Sequence, residues 1–145
     1  MTYFVPSIFA VLLAVTASFA SETKATEGAV ILEDAKINLS DFLWVNRPIV
    51  VLADSPQDPR FMEQMRLLKT RLPELEDRDV VVITDTDPSA ETELRQKLRP
   101  RGFMLVLIGK DGGIKLRKPF PWNVREISRV IDKMPMRRQE LRTDD

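Results

Sequence analysis

Three short runs of apolar, largely β-branched residues constrain the fold of this chain more than any other feature. They are residues 48–53 (PIVVLA), 79–84 (DVVVIT) and 103–108 (FMLVLI). Each is continuous rather than alternating, which is how strands read when a sheet is covered on both faces. A fourth run, residues 114–118 (IKLRK), does alternate. It therefore reads as a half-exposed edge strand, with lysine discouraging further pairing. The turn before it, Gly109-Lys110-Asp111-Gly112-Gly113, contains an Asp-Gly pair whose residues tolerate positive φ and so favour a hairpin.

The segments between the runs carry helix signals. Asp58-Pro59 and Asp87-Pro88 follow the first two strands; in each, Asp offers an oxygen to unpaired N–H groups and Pro suits the first helical position. The first helix is expected over residues 59–71, with Phe61, Met65, Leu68 and Leu72 on one stripe and Pro73 ending it. The second is expected over residues 89–98, before Pro100. A last helix starts at Asn123 with Glu126 three residues on, and Val124, Ile127, Val130, Ile131 and Met134 form its apolar stripe. Residues 30–32 read as a short strand and residues 39–44 as a brief helix. The resulting order, β-α-β-α-β-β-α, predicts two parallel crossovers, an antiparallel hairpin and a closing helix. That is an α/β, thioredoxin-like three-layer fold: a mixed central sheet of four to five strands with helices on both faces.

Composition removes whole classes of chemistry. The chain has no Cys and no His among its 145 residues. Without a thiolate there is no disulfide exchange or peroxide reduction, and thiol oxidoreductase activity is excluded. Without imidazole or thiolate, zinc sites and imidazole-assisted nucleophiles are not expected. Only five glycines are present, three of them in the 109–113 turn, so no phosphate-cradling loop exists. No cofactor is expected.

Residues 1–20 contain no charged side chain and end in Ser18-Phe19-Ala20, small residues suited to signal peptidase. They read as a secretory signal cut after Ala20, and the protein as periplasmic or secreted with no stable membrane span after cleavage; the alternative is an uncleaved membrane anchor. Residues 21–29 (SETKATEGA) read as a flexible leader, residues 30–138 as the domain and residues 139–145 as a polar C-terminal tail.

The stretches DFLWVNRPIVVLADSPQDPRFMEQMRLL and RPRGFMLVLIGKDGGIKLRKPFPW resemble the prokaryotic branch of the DUDES family, thioredoxin-like domains of unknown molecular function. The marks are Trp44, Arg47 and Pro48 before the first central strand, the acidic, Pro-containing turn of residues 54–59, and the hairpin of residues 102–112. The resemblance spans residues 39–134 and implies an exported domain related to extracellular matrix proteins. Catalytic thioredoxins carry Cys-x-x-Cys after the first central strand and a cis-proline before the third. Here Ser55-Pro56-Gln57-Asp58-Pro59-Arg60 fills the first place and Phe103 stands near the second. Both elements of thiol chemistry are missing from the positions where the resemblance would put them.

Ligands of parallel sheets gather beyond the carboxyl ends of the strands. Asp54, Asp58, Asp85 and Asp87 fall there. Asp54, Asp85 and Asp87 could share a hard cation; alternatively Asp58 and Asp87 are helix caps and Asp54 and Asp85 are solvated turn residues. A competing reading makes Ser55, Gln57, Asp58 and Arg60 an anion pocket at a helix N-terminus. Phe120-Pro121-Trp122 offers a rigid aromatic segment, with Trp122 either an anchor for a partner or core; Phe103 is a further candidate binding contact, although core packing explains it and Trp44 more simply.

Charge is uneven along the chain. Residues 21–94 hold 8 basic and 16 acidic side chains, and residues 95–145 hold 14 basic and 6 acidic. Arg125, Arg129 and Lys133 recur at helical spacing, and Lys115 and Arg117 share a strand face. Such a basic surface could meet an acidic protein or an envelope component; nucleic acid is not expected, because no stacking strand of aromatics accompanies it. The sequence thus points to an exported, noncatalytic thioredoxin-like module binding a protein or envelope component. The alternative is a carboxylate- or cation-dependent enzyme, or a small-ligand-binding protein, using the strand ends.

Overall fold

The computed structural model of the chain describes residues 29–33 and 36–144. The expected signal and all but the last residue of the leader lie outside the described residues. Ala29, assigned to the leader, is buried and donates its N–H to the Leu72 carbonyl at 3.2 Å, so it belongs to the domain.

Five strands form one sheet in the order β1-β3-β2-β4-β5: β1 (Ile31–Leu32), β2 (Arg47–Leu52), β3 (Val80–Asp85), β4 (Met104–Ile108) and β5 (Ile114–Lys118). β1, β3 and β2 run parallel, while β4 is antiparallel to both β2 and β5. Every residue of β2 and β3 is buried, as continuous runs require. Alternation sorts them between two layers. Ile49, Val51, Val80, Val82, Leu105 and Leu107 face a core completed by α1 (Pro59–Lys69), α2 (Leu72–Glu76) and α4 (Val124–Asp132). Val50, Leu52, Ile83, Val106 and Ile108 face a smaller one closed by α3 (Glu93–Leu98) and a 3₁₀ turn over Leu39–Phe42.

The architecture agrees with the sequence expectation, and five details differ. Only one of the two expected crossovers ends in a parallel strand. α1 and α2 return the chain along the sheet, but α3 has six residues and rises only about 9 Å, against about 20 Å for a six-residue strand. The chain therefore stays at one end and re-enters antiparallel, with Met104 opposite Leu52. The expected helix over residues 89–98 is split, because Glu91 adopts φ +46 between a 3₁₀ turn (Pro88–Ala90) and α3. Pro73 opens α2 instead of ending α1, since a proline without a donor fits a first turn. In the hairpin, Gly112 alone takes positive φ (+80), Asp111 instead accepting the Gly113 N–H.

The fifth difference concerns the expected tail. Residues 139–143 are the later part of a helix, α5 (Pro135–Thr143), anchored through Glu140. A polar composition hid it, because α5 buries no residue and its docking is ionic. Among the described residues, no helix is long and apolar enough to cross a membrane.

Candidate functional site

The end of the sheet where β2 and β3 finish holds the aspartates and the Ser55 to Arg60 loop that the sequence singled out. After Leu52, the loop closes on itself: Ser55 Oγ donates to Gln57 Oε1 at 2.6 Å, and the Gln57 N–H donates to Ser55 Oγ at 3.1 Å. Asp58 caps α1, accepting the Arg60 N–H at 2.8 Å, as the Asp-Pro signal predicts. The Arg60 guanidinium folds back on the same carboxylate at 3.2 Å. That hydrogen bond holds the Asp58 carboxyl below the usual carboxylate range against partial desolvation. Arg60 also lies 5.8 Å from the Phe103 ring centroid, above Gly102 at φ +62. Phe103 is fully buried, so it is core and not a contact for a partner. Ser55, Gln57, Asp58 and Arg60 are brought together, but an anion there would face the Asp58 carboxylate.

The aspartates do not assemble. Asp85 is buried, and its carboxylate accepts Arg95 Nε at 2.8 Å, Thr92 Oγ1 at 2.8 Å and the Asp87 N–H at 3.1 Å. Arg95 further donates to the carbonyls of Ala53 at 2.6 Å and Asp85 at 3.0 Å, tying the ends of β2 and β3 to α3. Asp87 caps the next turn through Ser89, whose hydroxyl bond pulls its carboxyl below the usual range. Asp54 is exposed. Among the described residues, no group of three or more acidic side chains is placed to hold a metal ion. A shallow cleft of about 280 Å³ beside Pro56, Phe61, Thr86 and Asp87 marks this end.

The basic residues separate into two places. Arg125, Arg129 and Lys133 line the outer face of α4 and are exposed, with Arg129 bonded to Glu126 at 3.0 Å. Arg117 lies across the sheet from them: Leu116 packs with the α4 layer, whereas Arg117 donates to the Leu98 carbonyl of α3 at 2.7 Å. Lys115 does not share its face as expected, because the register is irregular there, and its ammonium bonds Asp111 at 2.9 Å. One continuous basic surface is therefore not formed. Trp122 is half-buried against the larger core; Gln64 clasps its backbone, donating to its carbonyl and accepting its N–H at 2.8 Å each, and Lys118 sits 4.6 Å above its ring.

Trp44 reverses its sequence reading. It is 66% exposed and adopts φ +64, held there by its N–H bond to the Lys110 carbonyl at 2.8 Å. With Leu43 (38% exposed) and Val45 (60% exposed) it forms an apolar turn on the surface. At this end of the sheet, opposite the aspartates, Arg47 is fully buried and bonded to Glu140 and to the Arg78 carbonyl, both at 2.9 Å.

A family model for a domain of unknown function, DUF4174, matches residues 38–140. The chain belongs to that family. Solved structures place this DUF4174 domain in a wider fold group. It is similar to the reduced 2-Cys peroxiredoxin of Plasmodium vivax, at 14% identity and TM-score 0.56, covering 72% of this chain and 85% of that one. It is also similar to chloroplastic thioredoxin z (19% identity, TM-score 0.53, covering 73% and 93%). Desulfothioredoxin from Desulfovibrio vulgaris Hildenborough, in its reduced form, matches at 20% identity and TM-score 0.51, covering 74% and 99%. The fold of this DUF4174 domain is thus thioredoxin-like.

Sequence reasoning gave no role to Gln64, Arg95, Lys110 or Glu140, and named Arg47 only as a mark of resemblance. The usable signal was a polar residue at a core position. Gln64 sits between Phe61 and Leu68 on the α1 stripe, Arg95 sits beside Leu94 in α3, and Arg47 opens a wholly apolar strand.

Proposed function

We propose that the mature chain is an exported, noncatalytic binding module that holds a protein or an envelope component. One observation carries the reading: the loop that bears Cys-x-x-Cys in catalytic thioredoxins is here a sulfur-free turn, Ser55 to Arg60, whose polar groups are spent on one another. A scaffold kept without its nucleophile retains surfaces as its means of acting. The resemblance to DUDES-type domains supports export, as does the uncharged, signal-like run of residues 1–20.

Two surfaces suit docking. The Leu43, Trp44, Val45 turn presents a large aromatic in a backbone conformation that costs a non-glycine residue on the order of 1–2 kcal/mol, pre-set for a partner. The row of Arg125, Arg129 and Lys133 supplies positive charge for an acidic one.

The test is crosslinked affinity capture of the tagged mature protein from its own envelope, with abundance ratios read by mass spectrometry. Beside the wild type stand Trp44→Gly, which suits φ +64, and the triple reversal of Arg125, Arg129 and Lys133 to Glu. Circular dichroism confirms that each variant folds. A partner enriched by the wild type and lost in one variant supports the module and assigns its face. Equal capture by all three proteins overturns both docking faces, and no enrichment with the wild type overturns the module.

A further inference from the structure

Arg47 is 1% exposed and Lys110 is 9% exposed, so two cations are buried side by side where β2 begins and β4 ends. Charges so placed need a carboxylate, because an unpaired buried cation is costly. It comes from α5. Glu140 Oε1 accepts Arg47 Nη2 at 2.9 Å and Lys110 Nζ at 2.8 Å, and Glu140 Oε2 accepts Arg137 Nη1 at 3.3 Å. Lys110 also donates to Asp79 at 2.7 Å, Asp79 being half exposed, and Arg137 Nε lies 3.8 Å from Asp132. Three cations on one carboxylate form an anion site, in which Arg47 gives Nη2 to the oxyanion while its Nη1 is held by the Arg78 carbonyl at 2.9 Å.

The element that supplies the anion is weakly held otherwise. α5 has nine residues, buries none, and has no side-chain cap at its N-terminus, and a helix that short does not persist alone. Beside the ion cluster, a cavity of about 210 Å³ is lined by Arg47, Lys110, Lys115, Met134, Pro135 and Met136. It brings solvent to the two buried cations along the start of α5.

We propose that Arg47 and Lys110 form a carboxylate receptor whose resident ligand is Glu140, so that α5 is a latch. An external carboxylate, of the kind an acidic peptide side chain presents, takes the receptor when α5 lifts and holds it open. This does not depend on the docking surfaces above.

The test uses the full mature chain, with sodium acetate as the probe and sodium chloride at matched ionic strength as control. In wild type, hydrogen exchange of the amides of residues 136–143 accelerates in acetate over chloride, while β2, β3 and β4 amides do not change; acetate at ten times its Kd for the open form gives about an elevenfold increase. In Glu140→Ala, the same α5 amides exchange at least about tenfold faster than in wild type while the sheet stays protected. Acetate then raises the melting temperature of that variant saturably, and the rise is absent in Glu140→Ala with Lys110→Met. Glu140→Gln, which keeps the shape and removes the charge, replaces Glu140→Ala if that variant does not fold. The proposal is overturned if acetate and chloride act alike on the wild type, if neither variant gains a saturable acetate response, or if exchange rises equally in α5 and the sheet.

Discussion

Gln64 shows how one polar side chain can organise a thioredoxin-like surface. It lies on the buried stripe of α1, yet both halves of its carboxamide are paired with the backbone of Trp122, 58 residues away. A single rigid amide thereby fixes the entry to α4 and sets the half-buried ring of Trp122 under Lys118. Gln64→Leu preserves volume and leaves a buried N–H and carbonyl without partners. We expect a loss of about 1–3 kcal/mol, read as a lower urea midpoint at unchanged slope. A change below about 0.5 kcal/mol would show that water replaces the clasp. The sequence places residue 64 on the apolar stripe, but a residue in α1 cannot name a partner that enters from beyond β5.

At the scale of elements, α3 and α5 are both held by arginine. α3 is short and interrupted on either side by residues with positive φ, Glu91 and Arg99, and it is secured to the sheet by Arg95 on Asp85. Arg95→Met leaves the Asp85 carboxylate buried and unpaired, which costs about 3–5 kcal/mol. Adding Asp85→Asn should restore part of that loss in a double-mutant cycle of urea midpoints, while additive losses would refute the coupling. For α5, burial pushes the Glu140 carboxyl up, but hydrogen bonds from Arg47 and Lys110, with the charge of Arg47 and a bond from Arg137, outweigh it and lower it to about 2. Its ordinary value is 4.5. A folded-state value below the unfolded one means that the stabilisation is complete above pH 4.5 and is lost as pH falls from there to about 2. The contribution is on the order of 3 kcal/mol, an upper figure for a carboxylate that is one quarter exposed. Urea midpoints measured across that window should fall in the wild type and be flatter in Glu140→Gln; parallel curves would assign the acid sensitivity elsewhere.

Taken as a whole, the molecule interleaves its acidic and basic halves. Lys110 with Asp79, Arg95 with Asp85, Arg47 with Glu140 and Arg78 with Asp132 each join a residue before Arg95 to one from Arg95 onward. Two of these pairs take anions from the first half and two take its cations, so the imbalance between the halves persists, but Asp85, the aspartate that a cation site most needs, is spent inside the structure. Millimolar Mg²⁺ or Ca²⁺ should therefore leave the melting temperature unchanged; a rise that disappears in Asp54→Asn would restore the cation-site reading. The strands, the caps at Asp58, Asp87 and Asn123, the edge character of β5 and the exclusion of thiol chemistry were all determined by the sequence alone. These depend on local periodicity, on side chains acting within three residues, and on which atoms the chain possesses. Only the tertiary structure decided that β4 returns antiparallel, that Trp44 stands in solvent while Phe103 is core, and that Glu140 reaches Arg47 across 93 residues. Those outcomes turn on which distant groups share a buried volume, and hydrophobic periodicity records that a face is covered without recording by what.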